Sequence, residues 1–303
     1  NNMKNIAVIG ACGFVGNALT QGMVHAFDVV AFDIKQGIFC VSDSGKCRVS
    51  LPEDNYLHLL KITEGPFFVC VPTPMNPDGS CNTSIVESVV AQIDEASKKL
   101  NKNTIVVVKS TVPPGTCDQL GEKYTNCYVC FNPEFLTERN AIEDFKNQDR
   151  IIIGGPRDGT NVLKQVYERA YPDVPVTKTS ATIAELVKYT TNCFLALKVS
   201  FANELNQICE KLDVDYDKVI EYATKDKRLG TSHWAVPGPM PADDGTGRLL
   251  KGFAGSCFVK DLNALISLAK NLGVDPKVML AAWEKNLEVR PEKDWLNLKG
   301  RAV

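Results

Sequence analysis

One cysteine in the 303-residue sequence stands where a reactive thiolate could form. Cys257 follows the flexible segment Gly252-Phe253-Ala254-Gly255-Ser256, and the residues after it have the pattern of a helix. The positive end of a helix dipole and its free amides stabilise a thiolate at that position. Asp261 lies one turn later on the same face, so the two side chains could act as nucleophile and base.

The other cysteines are predicted to be small core residues, which is the usual role of a cysteine in an apolar segment. Cys127 and Cys130 form a C-x-x-C pattern, but they fall inside a predicted strand. Side chains three residues apart in a strand point to opposite faces of the sheet. The pattern therefore predicts neither a redox pair nor a zinc site, and no metal is expected.

A second pair of polar residues has helical spacing. Lys188 and Asn192 are four residues apart, beside the apolar stripe of a long predicted helix. An ammonium and an amide in that arrangement could stabilise an oxyanion together. The alternative is a solvated lysine on the helix surface, and spacing alone favours that alternative.

A glycine-rich segment follows the first predicted strand and opens a helix. Its glycines, in Gly10-Ala11-Cys12-Gly13-Phe14-Val15-Gly16, would let the backbone and the helix N-terminus approach a pyrophosphate. Asp33 ends the next predicted strand, where a carboxylate can accept hydrogen bonds from adenosine ribose hydroxyls and repel a 2′-phosphate. This arrangement predicts an NAD site rather than an NADP site.

Other special residues fall at the carboxyl ends of successive predicted strands, the edge along which open α/β sheets bind ligands. They are Val71-Pro72-Thr73-Pro74, Ser110-Thr111 and Asn132-Pro133-Glu134. The alternative is that all of them are ordinary turn residues. The G-x-x-G-x-x-G spacing of the glycines also resembles sugar-nucleotide epimerases, but those enzymes need a Tyr-x-x-x-Lys pair. None of the eight tyrosines has a lysine four residues later.

Two domains and a short tail are expected at this chain length. Residues 1–180 alternate strands and helices, which predicts a Rossmann-type, doubly wound parallel sheet. Residues 181–290 are predicted to be all-α, and residues 291–303 form the tail. Strands are expected near 4–9, 28–33, 67–71, 104–109, 127–131, 151–154 and 175–178, and helices near 14–26, 83–100, 115–124, 158–170, 181–212, 215–225, 257–272 and 275–289.

The helix at 181–212 carries apolar residues at spacings of three, four and seven. It is too long for one small domain, so we expect it to link two domains and to form a homodimer interface. Basic and acidic residues number 34 and 36, a balance that gives no reason to expect nucleic-acid or membrane partners. Eleven cysteines without a disulfide-framework spacing or a signal peptide predict a reducing cytoplasm.

Four groups of residues, in this order along the chain, resemble the UDP-glucose/GDP-mannose dehydrogenase family. They are Ser110-Thr111-Val112-Pro113-Pro114-Gly115-Thr116; Asn132-Pro133-Glu134-Phe135-Leu136 with Asp149-Arg150; Glu185-Leu186-Val187-Lys188 through Asn192; and the segment around Cys257. The resemblance extends from about residue 3 to residue 290. It is specific to the family and does not select one sugar.

The resemblance implies two NAD-dependent oxidations of the sugar C6. Cys257 matches the nucleophile that forms a thiohemiacetal and then a thioester. Lys188 and Asn192 match the oxyanion-stabilising groups, and Asp261 matches a base or water-positioning group. The match implies that Glu134 acts in hydrolysis, through water held with Thr111.

The remaining residues that the resemblance assigns bind substrate or cofactor. Arg228 resembles an arginine that reaches the site of the partner subunit. The expected substrate-binding residues are Phe135, Leu136, Glu138, Arg228, Phe253 and Gly255. The expected NAD-binding residues are Gly10, Gly13, Phe14, Val15, Gly16, Asp33, Lys35, Val71, Pro72, Thr73, Ser110, Thr111, Glu138 and Lys260.

The sequence departs from the family pattern in four places. The glycine loop is longer, Ala254 stands where the family has glycine, and Pro239 to Arg248 is an insertion before the cysteine. The chain is also expected to be a short form that lacks the family's C-terminal UDP-binding domain, either as a fragment or as a compact variant. The expected substrate is UDP-glucose, with GDP-mannose, a UDP-N-acetylhexosamine or an inactive NAD-binding homologue as alternatives.

Overall fold

The computed structural model describes residues 2–48 and 55–303. The chain forms two compact units. Unit 1 comprises residues 1–73 and 83–188, and unit 2 comprises residues 74–82 and 189–303. The division falls inside a single helix, whereas the sequence predicts a domain boundary at its start.

Unit 1 contains all nine strands of the described chain. They are β1 (Asn5–Ile9), β2 (Asp28–Asp33), β3 (Gly37–Ser42), β4 (Gly45–Arg48), β5 (Phe67–Val69), β6 (Thr104–Val108), β7 (Cys127–Phe131), β8 (Ile151–Gly154) and β9 (Val176–Thr179). The seven predicted strands are confirmed, and β3 and β4 are additional.

Ten α-helices accompany the strands in the part of the chain that the structure describes. They are α1 (Phe14–Met23), α2 (Asn55–Ile62), α3 (Ser84–Lys99), α4 (Thr116–Lys123), α5 (Ala141–Lys146), α6 (Arg157–Ala170), α7 (Ala181–Leu212), α8 (Tyr216–Ala223), α9 (Phe258–Asn271) and α10 (Lys277–Val289). The eight predicted helices are confirmed, while α2 and α5 were not expected. None of the described helices combines the length and the apolar character that crossing a membrane requires.

The strands form one sheet in the order β4-β3-β2-β1-β5-β6-β7-β8-β9. The pairs around β1, β5 and β6 are parallel, as a Rossmann-type fold requires. The predicted doubly wound parallel sheet carries antiparallel additions, because β3 pairs antiparallel with β2 and β4, and β8 pairs antiparallel with β7. Only three residues separate β2 from β3 and two separate β3 from β4, too few for a crossover.

Apolar side chains cover both faces of this sheet. Two residues of β7 show burial on both faces. Cys127 packs in the apolar cluster on one face, and Cys130, three residues later, packs in the cluster on the other face. The expectation that these two thiols point to opposite faces is confirmed. Burial on both faces fixes the strand register, and therefore fixes which residues end each strand at the carboxyl edge.

The regular elements of unit 2 are helices, apart from two isolated β-bridges, as expected for the all-α part of the fold. The predicted domain bounds, 181–290 with a tail at 291–303, stay a prediction. The core of unit 2 joins the α7 residues Tyr189, Cys193 and Ala196 to Val259 and Leu262 of α9. Phe253, Trp283 and Trp295 extend this core through aromatic contacts, with ring centroids 5.4–6.3 Å apart. The packing holds the start of α9 against α7.

Candidate active site

The glycine loop of unit 1 comprises residues 10–16. At two of its three glycines the neighbouring backbone leaves no room for a Cβ, whereas at the third it does. Gly10 has φ of +82°, and a Cβ there would overlap the Cys70 carbonyl oxygen. A Cβ on Gly16 would overlap the Gly10 carbonyl oxygen, whereas one on Gly13 would lie 3.6 Å from that oxygen. Gly13 also N-caps α1 without a side chain, which leaves the helix terminus open to an anion.

Asp33 lies at the carboxyl end of β2, beside this loop. Its carboxylate is buried and accepts hydrogen bonds from the Cys12 amide at 2.9 Å and the Lys35 amide at 3.0 Å. Each carboxylate oxygen keeps a further acceptor position. The carboxylate can therefore fix the loop and still accept from a ribose hydroxyl.

The predicted cofactor residues at the ends of β5 and β6 lie on neighbouring parallel strands. The Ser110 hydroxyl donates to the Val71 carbonyl oxygen at 2.6 Å. Thr73 and Thr111 are buried, and Pro72 is exposed. On the first turn of α1, Phe14 and Val15 are half-buried, and Lys35 is exposed after β2. The sheet thus brings the predicted residues to one edge.

Asn132 follows β7 and is held from three sides. Its amide oxygen accepts from the Lys109 ammonium at 2.8 Å and from the Tyr167 hydroxyl, and its amide nitrogen donates to Ile152 at 2.8 Å. Burial lowers the pKa of Lys109 to about 8, although Glu134 and the Cys70 thiol act in the opposite direction. This network fixes the backbone that leads into Glu134.

Glu134 and Lys188 form a buried ion pair. The Lys188 ammonium lies 3.2 Å from Glu134 Oε1 and donates to the Glu134 carbonyl oxygen at 2.6 Å. The side chains are only 5% and 8% exposed, so the alternative of a solvated Lys188 was wrong. Glu134 Oε2 accepts from the Leu136 amide at 2.7 Å. The carboxylate and the ammonium are therefore oriented before any ligand binds.

The loop after Glu134 becomes progressively more exposed. Phe135 and Leu136 are half-buried, and the guanidinium of Arg150 lies 4.0 Å from the centroid of the Phe135 ring. Glu138 is exposed. This loop presents both apolar and charged groups to solvent, and its predicted role in substrate binding stays a prediction.

Glu185 ties α7 to the start of α4. The side chain is fully buried, and its two oxygens accept from the amides of Gly115 at 3.0 Å and Cys117 at 3.1 Å. Those amides belong to the N-terminus of α4, whose dipole favours a negative charge. Burial nevertheless raises the pKa of Glu185 to about 7. Glu185 thereby joins the Ser110–Thr116 segment to the helix that carries Lys188.

This raised pKa predicts a pH-dependent stability. Between the ordinary value of 4.5 and about 7, the folded chain keeps a proton that the unfolded chain has lost. The free energy of unfolding should therefore fall as pH rises through this window, by up to about 3 kcal/mol. Glu185→Gln should remove this component, because an amide does not ionise. Urea unfolding at pH 5, 6 and 7 measures the slope, with the exposed Glu122→Gln as control. An unchanged slope in Glu185→Gln would contradict the prediction.

In unit 2, Cys257 is the N-cap residue of α9, as expected from its sequence context. Its carbonyl oxygen accepts from the Asp261 amide at 2.9 Å, which is the first hydrogen bond of the helix. The thiol is half-buried and lies 3.8 Å from the Ser256 hydroxyl oxygen. The helix start therefore places a partly accessible sulfur beside the positive end of the dipole.

Asp261 is buried and connects two other predicted residues. One oxygen lies 2.7 Å from the Lys260 ammonium, and the other accepts from the Asn192 side-chain amide at 2.7 Å. Burial opposes the charge on Lys260, but the Asp261 carboxylate and the Cys257 thiol raise the pKa of Lys260 above its ordinary value. The Lys260 ammonium and the Asp261 carboxylate therefore form a buried ion pair in the first turn of α9.

The other predicted residues of unit 2 differ in their surroundings. Arg228 is 88% exposed and pairs with Asp226 at 2.6 Å, so its predicted role in a partner's site stays a prediction. The Phe253 ring is buried in the core of unit 2 and its backbone amide and carbonyl bond to Asn286, so its predicted role in substrate binding stays a prediction. Gly255 has φ of +76°, whereas Ala254 is not a positive-φ residue, so the family's usual glycine is not needed there.

Several residues with a clear structural role were not singled out from sequence. Lys109 directly follows the apolar run of β6, and Glu185 is a charged residue on the buried side of α7. A lysine or glutamate at a predicted buried position is a usable signal, because such groups are buried only with partners. Asn203, Asn286 and Asp243 gave no comparable signal.

Two family models match this chain. Residues 61–171 match the NAD binding domain of the UDP-glucose/GDP-mannose dehydrogenase family, and residues 182–288 match its central domain. A UDP-glucose 6-dehydrogenase of Haloferax volcanii is 30% identical over 320 residues, which covers 95% of this chain and 70% of the relative. The chain belongs to the UDP-glucose/GDP-mannose dehydrogenase family.

Other members of the UDP-glucose/GDP-mannose dehydrogenase family are similar over shorter parts of their length. A UDP-glucose 6-dehydrogenase of Rickettsia bellii is 38% identical over 245 residues, which covers 77% of this chain and 51% of the relative. A solved UDP-glucose dehydrogenase from Pyrobaculum islandicum has a TM-score of 0.79 at 31% identity, covering 96% of this chain and 69% of that one. The chain spans about half the length of several curated relatives that it matches.

Membership of the UDP-glucose/GDP-mannose dehydrogenase family confirms the predicted resemblance, the Rossmann-type fold and the NAD-binding domain. The epimerase alternative is thereby set aside. Family membership does not decide the roles of the individual residues.

Proposed function

We propose that the chain is an NAD-dependent nucleotide-sugar 6-dehydrogenase that oxidises UDP-glucose to the uronic acid through a thioester on Cys257. The observation that carries this proposal is the arrangement at the start of α9. A cysteine at the helix N-cap is followed by a buried carboxylate that holds an ammonium and an amide. Binding modules have no need of this combination.

The proposed reaction begins with loss of a proton and a hydride from the C6 alcohol, which gives an aldehyde. One NAD+ for each of the two oxidations, held by the Gly10–Gly16 loop and Asp33, would supply the hydride acceptor. The Cys257 thiolate adds to the aldehyde carbon and forms a thiohemiacetal, whose oxidation gives a thioester. Water then cleaves the carbon–sulfur bond, releasing the carboxylate and restoring the thiol.

The side chains of this chain suit the proposed proton and charge transfers. Lys188 and Asn192 are one turn apart on α7 and can donate to a developing oxyanion. The buried Asp261 carboxylate is held by the Asn192 amide and the Lys260 ammonium. In that position it is proposed to accept a proton or to hold a water molecule. Glu134, held by Lys188 and the Leu136 amide, is suited to orient the hydrolytic water with Thr111.

The cofactor residues support NAD in the same proposal. The Gly10–Gly16 loop and the N-terminus of α1 can hold a pyrophosphate, and Asp33 can accept from the ribose hydroxyls. The negative charge of Asp33 disfavours a 2′-phosphate, so NADP should be a poor substitute. The cytoplasm is the proposed location, since the cysteines described in the structure form no disulfide.

An NADH-production screen tests the proposed function. The purified chain would be incubated with NAD and, separately, UDP-glucose, GDP-mannose and UDP-N-acetylhexosamines. We expect two NADH per UDP-glucose consumed and formation of the acid. Turnover with another sugar alone would change the proposed substrate, and NAD binding without any turnover would favour the non-enzymatic homologue.

We also propose a homodimer that forms through α7. The helix exposes an apolar stripe in the single chain, with side chains 51–67% exposed at Ile183, Phe194, Phe201, Ile208 and Leu212. Contiguous exposed apolar residues usually mark an interface. Sedimentation should give twice the mass of one chain, and Phe194→Glu should shift this to one chain. Leu272→Glu, at the C-cap of α9 and 70% exposed, is the control. A monomeric wild type would exclude the interface.

The proposed dimer would also allow Arg228 to act in the partner's site. Mixing Arg228→Ala with Cys257→Ser chains should then restore part of the activity, because one site of each mixed dimer would hold both native residues. The absence of any recovery on mixing would remove this role from Arg228.

A further inference from the structure

The segment that precedes Cys257 is held by side chains from three different elements of unit 2. The Gly252 amide donates to Asn203 of α7 at 3.3 Å. The Phe253 amide and carbonyl both bond to Asn286 of α10, at 2.7 Å and 3.0 Å. The Gly255 amide donates to the Asp243 carboxylate at 3.0 Å. Asn203 and Asn286 lie in helices, whereas Asp243 lies in a loop.

Asp243 lies in residues 239–248, which the sequence predicts to be an insertion relative to the family pattern and which are called the insertion lobe below. The lobe is closed at its base, where the Ala242 amide donates to the Arg248 carbonyl oxygen at 2.7 Å. Its tip is held by Asp244, which accepts from the Thr246 amide at 3.0 Å and from Arg248 at 2.8 Å. The lobe is therefore a folded element with defined internal contacts.

The insertion lobe is fixed to the core of unit 2 through Asp243 itself. The Asp243 amide donates to Asp294 at 2.7 Å, and its carbonyl oxygen accepts from Asn297 at 3.0 Å. Asp294 is in turn clamped by two 2.7 Å hydrogen bonds from Arg290, and both of these side chains are buried. A rigid support of this kind can determine the position of the group it holds.

The turn at Gly255 sets the direction in which the chain enters α9. The φ of +76° at Gly255 turns the chain into the N-cap of α9, two residues before the sulfur. A Cβ on Gly255 would meet no atom within 4 Å, so this side of the turn faces open space. The Asp243 hydrogen bond is a direct constraint on the Gly255 amide.

We propose that Asp243 is a positioning residue, through which the insertion lobe holds Gly255 and keeps Cys257 at the N-terminus of α9. The inference rests on the proposed role of Cys257 as the nucleophile. Without the anchor, the turn moves and the sulfur leaves the field of the helix amides for part of the time. The thiolate then forms less readily, and attack on the aldehyde slows.

The test compares Asp243→Ala, which lacks the acceptor, with Asp243→Asn, which keeps one. The Asp244→Ala variant is the matched control, because the Asp244 carboxylate accepts hydrogen bonds from Thr246 and Arg248, both of which lie within the lobe. The first readout is the pH midpoint of Cys257 alkylation by iodoacetamide, followed by peptide mass spectrometry. The midpoint should rise in Asp243→Ala and stay at or below the wild-type value in the other two.

A second readout uses the wild-type chain, so that a folding defect in a variant cannot hide the answer. Hydrogen exchange at the Gly255 amide should be at least tenfold slower than at an unprotected loop amide. In turnover, Asp243→Ala should lower kcat about tenfold with KM changed less than twofold, because the anchor acts on the chemical step. An unmoved alkylation midpoint, an equal rise in Asp243→Asn, or an unprotected Gly255 amide would each overturn the proposal.

The alkylation and exchange readouts need no sugar nucleotide. If they behave as expected while no nucleotide sugar is oxidised, the positioning role stands and the proposed function fails. If UDP-glucose is oxidised but Asp243→Ala keeps the wild-type midpoint and kcat, the proposed function stands and the positioning role fails.

Discussion

Cys257→Ser is expected to abolish formation of the uronic acid while leaving the fold intact. A serine hydroxyl is not ionised near neutral pH, so it cannot form the covalent adduct that the second oxidation requires. Removal of a catalytic nucleophile commonly costs several orders of magnitude, and we expect a loss of at least about 1,000-fold in acid formation. The acid is quantified by chromatography after incubation with UDP-glucose and NAD.

Cys40→Ser, a conservative change at a half-buried thiol of β3, is the control and should retain activity. Both variants should unfold within a few degrees of the wild type. Acid formation by Cys257→Ser within tenfold of the wild-type rate would rule out the thioester mechanism.

Gly16→Ala is expected to destabilise unit 1 and to weaken NAD binding together. The new Cβ would overlap the Gly10 carbonyl oxygen and approach the Ala11 Cα, both of which are backbone atoms that cannot rotate away. Overpacking of this kind costs about 1–3 kcal/mol, and displacement of α1 from the loop should raise the Kd for NAD at least about 100-fold. Thermal unfolding and isothermal titration measure the two effects.

Substitutions at two other glycines separate the effect on stability from the effect on NAD binding. Gly13→Ala should leave the unfolding temperature unchanged, since its Cβ would make only an ordinary 3.6 Å contact with the Gly10 carbonyl oxygen. It should weaken NAD binding, because the new methyl group stands at the N-cap of α1, where the pyrophosphate is proposed to bind. Gly121→Ala in α4 should be neutral or slightly stabilising, because nothing lies within 4 Å and alanine favours a helix. If Gly16→Ala unfolds at the wild-type temperature, the backbone of the loop moves to accommodate the Cβ, and the prediction is wrong.

The long helix and the parallel strands of the fold were predictable from sequence. The helix at 181–212 contains no glycine or proline and keeps one apolar face, so its predicted limits are confirmed. The strands of the parallel core were predictable because each is an apolar run bounded by turn residues. The hairpin of β3 and β4 was missed, because its strands are short and mix polar with apolar residues.

The candidate site was predictable where local spacing determines geometry. Cys257 at a helix start and Lys188 four residues before Asn192 both follow from helical periodicity. The Lys109–Asn132 contact was not predictable, because it joins residues 23 positions apart on adjacent strands. The Asp243–Gly255 contact depends on how an insertion folds back, which no periodic pattern encodes.

The outermost strands of the sheet affect how the protein behaves at high concentration. In the described chain these are β4 and β9, each four residues long, and they carry Lys46 and Lys178. An exposed strand can template growth of a shared sheet between molecules, and short strands with lysine oppose this growth. We therefore expect resistance to amyloid-type aggregation, even when the native protein is concentrated.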